Sequence, residues 1–155
     1  MLALTTAAPA RADDAADIRA AQESIAAGAR VRNLDAIMSN YWHSPKLFVF
    51  DVYPPRAYHG WDAFRKDWKD FLAAYRGPIT YEMQDMYVET DGTYGYVHVI
   101  EHIAGTPKTS GTPPEINMRI TELYHKRDGK WVIDHEHASV PVDLKTGKAD
   151  LLSKE

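Results

Sequence analysis

The 155-residue sequence predicts an α+β fold in which N-terminal helices pack on a curved antiparallel sheet. Three observations carry that expectation. Apolar residues recur at helical spacing over the first half of the chain and nowhere after it. From residue 79 the pattern changes to long alternating runs separated by Asp91-Gly92 and Asp128-Gly129, both hairpin-turn dipeptides. No second block of helices follows, which leaves one domain whose sheet must be covered by the helices that precede it.

The first helix is expected over Asp13 to Gly28. Ile18, Ala21, Gln22 and Ile25 share a face, Asp13 and Asp14 suit its positive end, and Gly28 marks the stop. A short second helix fits Asn33 to Trp42 with Asn33 as its cap. Leu47-Phe48-Val49-Phe50 reads as a short strand, ended by Pro54-Pro55 because proline cannot donate to a ladder. Gly60 to Tyr75 is the clearest helix. Phe64, Trp68, Phe71, Leu72 and Tyr75 form its stripe, Asp62 is placed to cap it, and Gly77-Pro78 ends it. Four strands follow at 79–90, 93–104, 115–127 and 131–140, with a Pro/Gly/Thr-rich loop over 105–114. The domain spans residues 13–142, and 143–155 read as a loose polar tail.

Residues 1–12 stand apart. Ala10-Arg11-Ala12 before Asp13-Asp14 matches a signal-peptidase pattern, but no basic region or full apolar core precedes it. The stretch is either a disordered leader or the remnant of a signal. Export to the periplasm is expected if the true start lies upstream, and a cytoplasmic location otherwise. Composition excludes several classes. Without cysteine there is no disulfide, thiol nucleophile or thiolate zinc site. Eighteen Lys and Arg against 22 Asp and Glu give a net charge of −4, the wrong sign for a nucleic-acid partner. No run is long and apolar enough to span a bilayer, so no membrane partner is expected. There is no glycine-rich phosphate loop or dinucleotide fingerprint, and no cofactor is expected.

Element order and several words of sequence resemble the nuclear-transport-factor-2-like superfamily, and within it SnoaL-like and ketosteroid-isomerase-like proteins. The words are Phe50-Asp51-Val52-Tyr53-Pro54-Pro55, His59-Gly60-Trp61-Asp62-Ala63-Phe64, Arg127-Asp128-Gly129-Lys130-Trp131 and His135-Glu136-His137-Ala138-Ser139. The last is also similar to the association domain of calcium/calmodulin-dependent protein kinase. The resemblance covers roughly residues 14–142. It implies a cone whose open end is a ligand pocket between the concave sheet and the helices. Members include isomerases, dehydratases, polyketide cyclases and non-catalytic binding or assembly modules, commonly as dimers. The kinase domain carries pocket arginines at positions matching Glu101, Glu122 and Ala138; their absence here argues against an anion-binding pocket.

Alternation selects the pocket face. On 93–104, Gly95, Val97, Val99, Glu101 and Ile103 point inward, and Tyr94, Tyr96, His98, Ile100 and His102 outward. On 115–127, Ile116, Met118, Ile120, Glu122 and Tyr124 point inward. Each inward face carries a single carboxylate. On the last strand the phase depends on the turn. A two-residue Asp128-Gly129 turn sends Trp131, Ile133, His135, His137 and Ser139 inward, with His135 opposite Glu122. A three-residue turn with a glycine bulge sends in Val132, Asp134, Glu136, Ala138 and Val140. The apolar pair Trp131 and Ile133 favours the first; the match at Ala138 favours the second.

The candidate catalytic set is therefore Asp51, Glu101, Glu122, His135 and His137. Tyr53, Tyr58, Val99, Ile120, Tyr124 and Trp131 are the expected substrate-binding residues. A carboxylate in an apolar cone has its pKa raised and can act as general acid or base near neutrality, with a histidine sharing its proton. Ketosteroid isomerase uses a related scheme, as the resemblance implies. The expected ligand is a small, largely apolar molecule, turned over by an isomerase, dehydratase or cyclase type of proton transfer. Against this stand two alternatives: both glutamates at a solvated rim of a non-catalytic binding or assembly module, or a metal held by His135, His137 and Glu122. Trp61, Phe64, Trp68 and Trp131 read as core. The outward aromatic and histidine set predicts a homodimer through the outer sheet face.

Overall fold

The computed structural model describes residues 10–153, with side chains from residue 14 onward. Residues 1–9 of the expected leader, 1–12, lie outside the described residues, and residues 10–12 belong to the first helix rather than to a disordered leader. Helix α1 covers Ala10–Val31, α2 Leu34–Met38 and α3 Trp61–Ala74. The strands are β1 Phe48–Phe50, β2 Tyr58–His59, β3 Tyr75–Thr90, β4 Tyr94–Pro107, β5 Glu115–Arg127 and β6 Lys130–Ser139. They form one sheet in the order β2-β1-β6-β5-β4-β3. The fold is α+β, as expected, with one refinement: β1 lies parallel to β6, while every other pair in this sheet is antiparallel.

α1 crosses the concave face and buries Ile18, Gln22, Ile25, Ala26 and Ala29. Gly95 on β4 permits this close approach, since a Cβ there would meet Ile18 Cδ1 at 2.5 Å. Gly28 serves packing too. It does not end α1, which runs on to Val31; a Cβ at Gly28 would meet Ile37 Cγ1 of α2 at 2.9 Å. Asn33 caps α2 through its side chain, which accepts from the Ala36 N–H at 3.0 Å. α3 starts without a side-chain cap. Gly60 occupies that position, and Asp62 sits in the first turn, where its charge meets the helix dipole. The narrow end of the cone is closed by Trp131, whose indole N–H donates to Asp14 at 3.0 Å, with Lys126 paired to the same carboxylate.

The last hairpin contains elements of both registers. Asp128 (φ 50°) and Gly129 (φ 77°) form a two-residue turn, and Arg127↔Lys130 to Tyr124↔Ile133 pair as that turn requires. The register then shifts by one residue: Leu123 pairs with His135 and Glu122 with Glu136, leaving Asp134 as the extra residue. Arg127 holds Asp134 by two hydrogen bonds of 3.2 and 2.6 Å. Trp131 and Ile133 face inward before the bulge, Glu136 and Ala138 after it.

The chain beyond β6 is not a loose tail. Val142–Asp143 and Lys148–Ala149 pair as β7 and β8, and Leu151 offers its carbonyl to the Asn117 N–H at 2.8 Å. No helix among the described residues is long and apolar enough to cross a membrane.

Candidate functional site

Three neighbouring strands each send one glutamate into the cone: Glu101 from β4, Glu122 from β5 and Glu136 from β6. All three are buried, Glu122 to 1% exposure. Each meets a tyrosine hydroxyl. Tyr41 donates to Glu136 Oε2 at 2.6 Å, Tyr81 donates to Glu101, and Tyr124 lies against Glu122 together with the Gln22 amide. Among the described residues no arginine or lysine is paired with them, and desolvation is the largest influence on each. Burial pushes Glu101 up to about 7 and Glu122 up to about 8, with the charge of Glu101 adding to the rise at Glu122. Burial, then the charges of Glu122 and Glu101, hold Glu136 well above the usual carboxylate range.

A second pair sits nearer the opening. Because β1 runs parallel to β6 with Phe50 beside His137, the next residue, Asp51, is delivered to the end of the β6 glutamate face. Its Oδ1 accepts the Tyr53 N–H at 3.0 Å, which fixes the carboxyl in a local turn. Asp67 of α3 lies against it and accepts the Tyr58 hydroxyl at 2.5 Å. Burial pushes Asp51 up to about 6, against the Tyr53 N–H and with help from Asp67; burial also raises Asp67.

Asp51, Asp67, Glu101 and Glu136 line one inner chamber of about 40 Å³. Its remaining walls are mainly Phe64, Trp68, Phe71, Ile103, Met118, Ile120 and Ala138. That volume is room for about three waters. Outside it lies a wider groove of about 730 Å³, bounded by the Pro54-Pro55 loop, Tyr58, α3 and the 109–112 loop. Tyr53, Asp67 and Phe71 line both spaces and mark where the two adjoin. Another depression, about 640 Å³, lies beside the C-terminal residues and is lined by Ile100, His102 and Arg119, away from the buried glutamates.

Several expected site residues are placed elsewhere. The bulge at Asp134 turns His135 and His137 to the outer face, where His135 hydrogen-bonds the Phe48 carbonyl at 2.8 Å and His137 packs on Phe50. The expected His135–Glu122 pair is therefore not formed, and the same turn separates both histidines from Glu122 as a metal set. Among the described residues no cluster of three or more His, Cys, Asp or Glu is arranged to hold a metal. Val99, Tyr124 and Trp131 are buried core rather than chamber wall, with Trp131 spent on Asp14. Tyr53, Tyr58 and Ile120 line the chamber or the groove. Three residues outside the expected set join the site. Glu136 arrives through the bulge, Asp67 flanks the Trp68 stripe, and Trp68, expected as core, is a chamber wall.

The chamber thus combines Asp51, pushed up to about 6, with Glu101, pushed up to about 7, and Glu136, held well above the usual carboxylate range, in surroundings that are otherwise mainly apolar. Such a set can take a proton from one atom and give one to another.

Comparison with known proteins agrees with this architecture. An NTF2-like protein of unknown function from Pseudomonas putida KT2440 superimposes with a TM-score of 0.82 at 24% identity, covering 93% of this chain and 98% of that one. A candidate scytalone dehydratase from Novosphingobium aromaticivorans DSM 12444 gives 0.72 at 11% identity, over 93% and 96% of the two chains. A ketosteroid isomerase-like protein from Erwinia carotovora atroseptica SCRI1043 gives 0.67 at 18% identity, over 82% and 95%. At these identities the likeness shows the fold alone. No curated protein matches the sequence. The model of the SnoaL-like domain matches residues 18–143, from the first buried isoleucine of α1 through all the strands that carry the glutamates, and by that match the chain belongs to the SnoaL-like domain family.

Proposed function

We propose that the protein catalyses proton transfer on a small, largely apolar carbonyl or hydroxyl compound, in a reaction of isomerase, dehydratase or cyclase type. The observation that carries this reading is the convergence of Asp51, Glu101 and Glu136 on one chamber with no cationic side chain among its lining residues. The carboxylate–histidine chemistry expected from the sequence is replaced by carboxyl–carboxyl chemistry. Asp51 is the base, since burial raises it only to about 6, against the Tyr53 and Val52 N–H groups, and it is therefore mostly ionised at pH 7. Glu101, pushed up to about 7, returns the proton. Glu136 has one oxygen occupied by Tyr41 and keeps its proton to donate to a substrate oxygen. The likeness to a candidate dehydratase and an isomerase-like protein supports the same class of reaction.

The test is hydrogen–deuterium exchange at the carbons beside the carbonyl of 2-tetralone, followed by NMR in D₂O. The protein is expected to accelerate exchange over buffer. The rate should rise as pH passes about 6, where Asp51 ionises, and fall above about 7, where Glu101 loses its proton. Binding of 2-tetralone without accelerated exchange at any pH would favour the alternative, a non-catalytic binding module.

We also infer a homodimer through the outer sheet face. Tyr87, Tyr94, Tyr96 and Leu123 are exposed there as neighbours on β3, β4 and β5, with Tyr87 stacked on His98. A second copy presenting the same surface covers all of them at once by two-fold symmetry. Tyr96→Lys with Ile100→Lys is expected to convert a dimer to a monomer by light scattering. A wild-type protein already monomeric at micromolar concentration would overturn the inference.

A further inference from the structure

The chamber walls hold one polar atom that the protein itself leaves unused. The Trp68 indole N–H is buried without a hydrogen-bond partner. Of the four tryptophans, Trp61 donates to the Met38 carbonyl at 3.1 Å and Trp131 to Asp14, so partnered indoles occur elsewhere in this fold. Trp68 is only 9% exposed, and a buried N–H without a partner is costly and uncommon in a folded protein. The Tyr53 hydroxyl is satisfied differently: it donates to the Tyr75 oxygen, whose own proton goes to the Pro113 carbonyl at 2.8 Å. Both residues line the same chamber as Asp51 and Glu136. Another unpartnered buried atom, Gln22 Oε1, belongs to a residue that lines neither space.

Size separates the two spaces. The inner chamber admits about three heavy atoms, judged from the space a water needs. The outer groove falls in the range of small-molecule sites. Charge narrows the ligand further. The groove carries Asp67 and Asp70, and its lysine, Lys66, is held by Asp70 at 2.5 Å. An anionic body would face carboxylates with no cation left over for it.

We propose that the substrate is an uncharged ketone or related carbonyl compound that divides where the two spaces adjoin at Tyr53, Asp67 and Phe71: its carbonyl end enters the chamber and accepts a hydrogen bond from the Trp68 indole N–H, while a ring-sized apolar body stays in the groove. The proposal rests on the proton-transfer reading for what happens to that carbonyl, but concerns how it is held. Trp68 would place the oxygen, and Asp51 would then face the carbon beside it.

The experiment uses the wild-type protein and two probes of equal shape, 2-tetralone and tetralin, the second lacking the oxygen. In ¹H–¹⁵N spectra the Trp68 indole proton is expected to move downfield with 2-tetralone and to stay with tetralin, while the Trp61 and Trp131 indoles stay with both. Trp68→Phe identifies the signal. It should also lower the ratio of 2-tetralone to tetralin affinity about three- to tenfold, the worth of one hydrogen bond. Taking the ratio removes the packing lost with the larger ring. An unmoved Trp68 signal while 2-tetralone shifts the ¹³C carboxyl signals of the glutamates, an unchanged ratio, or no binding of 2-tetralone at all would overturn the proposal. Accelerated exchange with an unmoved indole sinks this proposal and keeps the catalytic reading. A moved indole without exchange does the reverse.

Discussion

Asp51→Asn is expected to slow 2-tetralone exchange by about 10²- to 10⁴-fold, the usual worth of a positioned general base. The substitution keeps the shape and keeps an oxygen for the Tyr53 N–H, which now meets Asp51 Oδ1 at 3.0 Å. It removes only the capacity to take a proton. The midpoint of urea unfolding should therefore be no lower than that of the wild type, since a buried carboxyl that is costly to ionise is removed. The loss should appear in the rate at all pH values. The ascending limb near pH 6 should vanish with it. Asp67→Asn supplies a second readout. The charge of Asp67 is one of the causes that raise Asp51, so its removal should move the ascending limb to lower pH without abolishing it. A variant Asp51→Asn that exchanges 2-tetralone at the wild-type rate would show that another group is the base.

Much of this site was readable in the sequence, and the part of the sheet that was not has one physical origin. Alternation along β4 and β5 is unbroken, so Glu101 and Glu122 fall on the buried face that period-two counting selects. On β6 the count fails at Asp134. One extra residue moves every later side chain to the other face. That single residue exchanges His135 and His137 for Glu136, and with them the expected chemistry. A trace of it is visible in hindsight: the apolar positions run odd through Trp131 and Ile133, then even through Ala138 and Val140. A change of phase without a glycine or proline between is the signature of a bulge within a strand.

The helical part failed differently. Phe64, Trp68 and Phe71 lie on one stripe, and periodicity identifies the stripe that faces inward without showing whether the space beyond it is filled. Trp68 is on the expected face, yet it borders a chamber and its N–H meets nothing. Asp67 lies beside that stripe, and only the arrival of Tyr58 from β2 and Asp51 from β1 gives it a place in the site. Gly28 shows the same limit on a smaller scale. Its type fits both a helix stop and a close helix contact, and the packing of Ile37 decides for the second.

The buried glutamates also make a stability argument with a definite sign. Their ordinary value is 4.5, and the fold pushes Glu101 up to about 7 and Glu122 up to about 8. Between those values the folded chain holds protons that the unfolded chain has released, so stability falls as pH rises. Below about pH 4.5 both states hold them and the penalty is absent; above about pH 8 it is complete. Each proton counts for about 1.4 kcal/mol per pH unit, so the loss between about pH 5 and about pH 8.5 is on the order of several kcal/mol. Glu136 adds to it in the same direction, because it stands directly across from Glu122 and the two cannot both ionise cheaply. Glu122→Gln removes one member and leaves a neutral side chain of the same shape among Gln22, Tyr124 and Glu136. The variant should match the wild type near pH 5 and exceed it by about 4 kcal/mol near pH 8.5, with the slope between them correspondingly flatter. Urea unfolding followed by tryptophan fluorescence across that range measures both. A wild-type stability that does not fall with pH, or a Glu122→Gln slope equal to the wild type's, would mean that these carboxyls ionise freely in the fold. They would then be unable to hold the protons that the proposed chemistry requires of them.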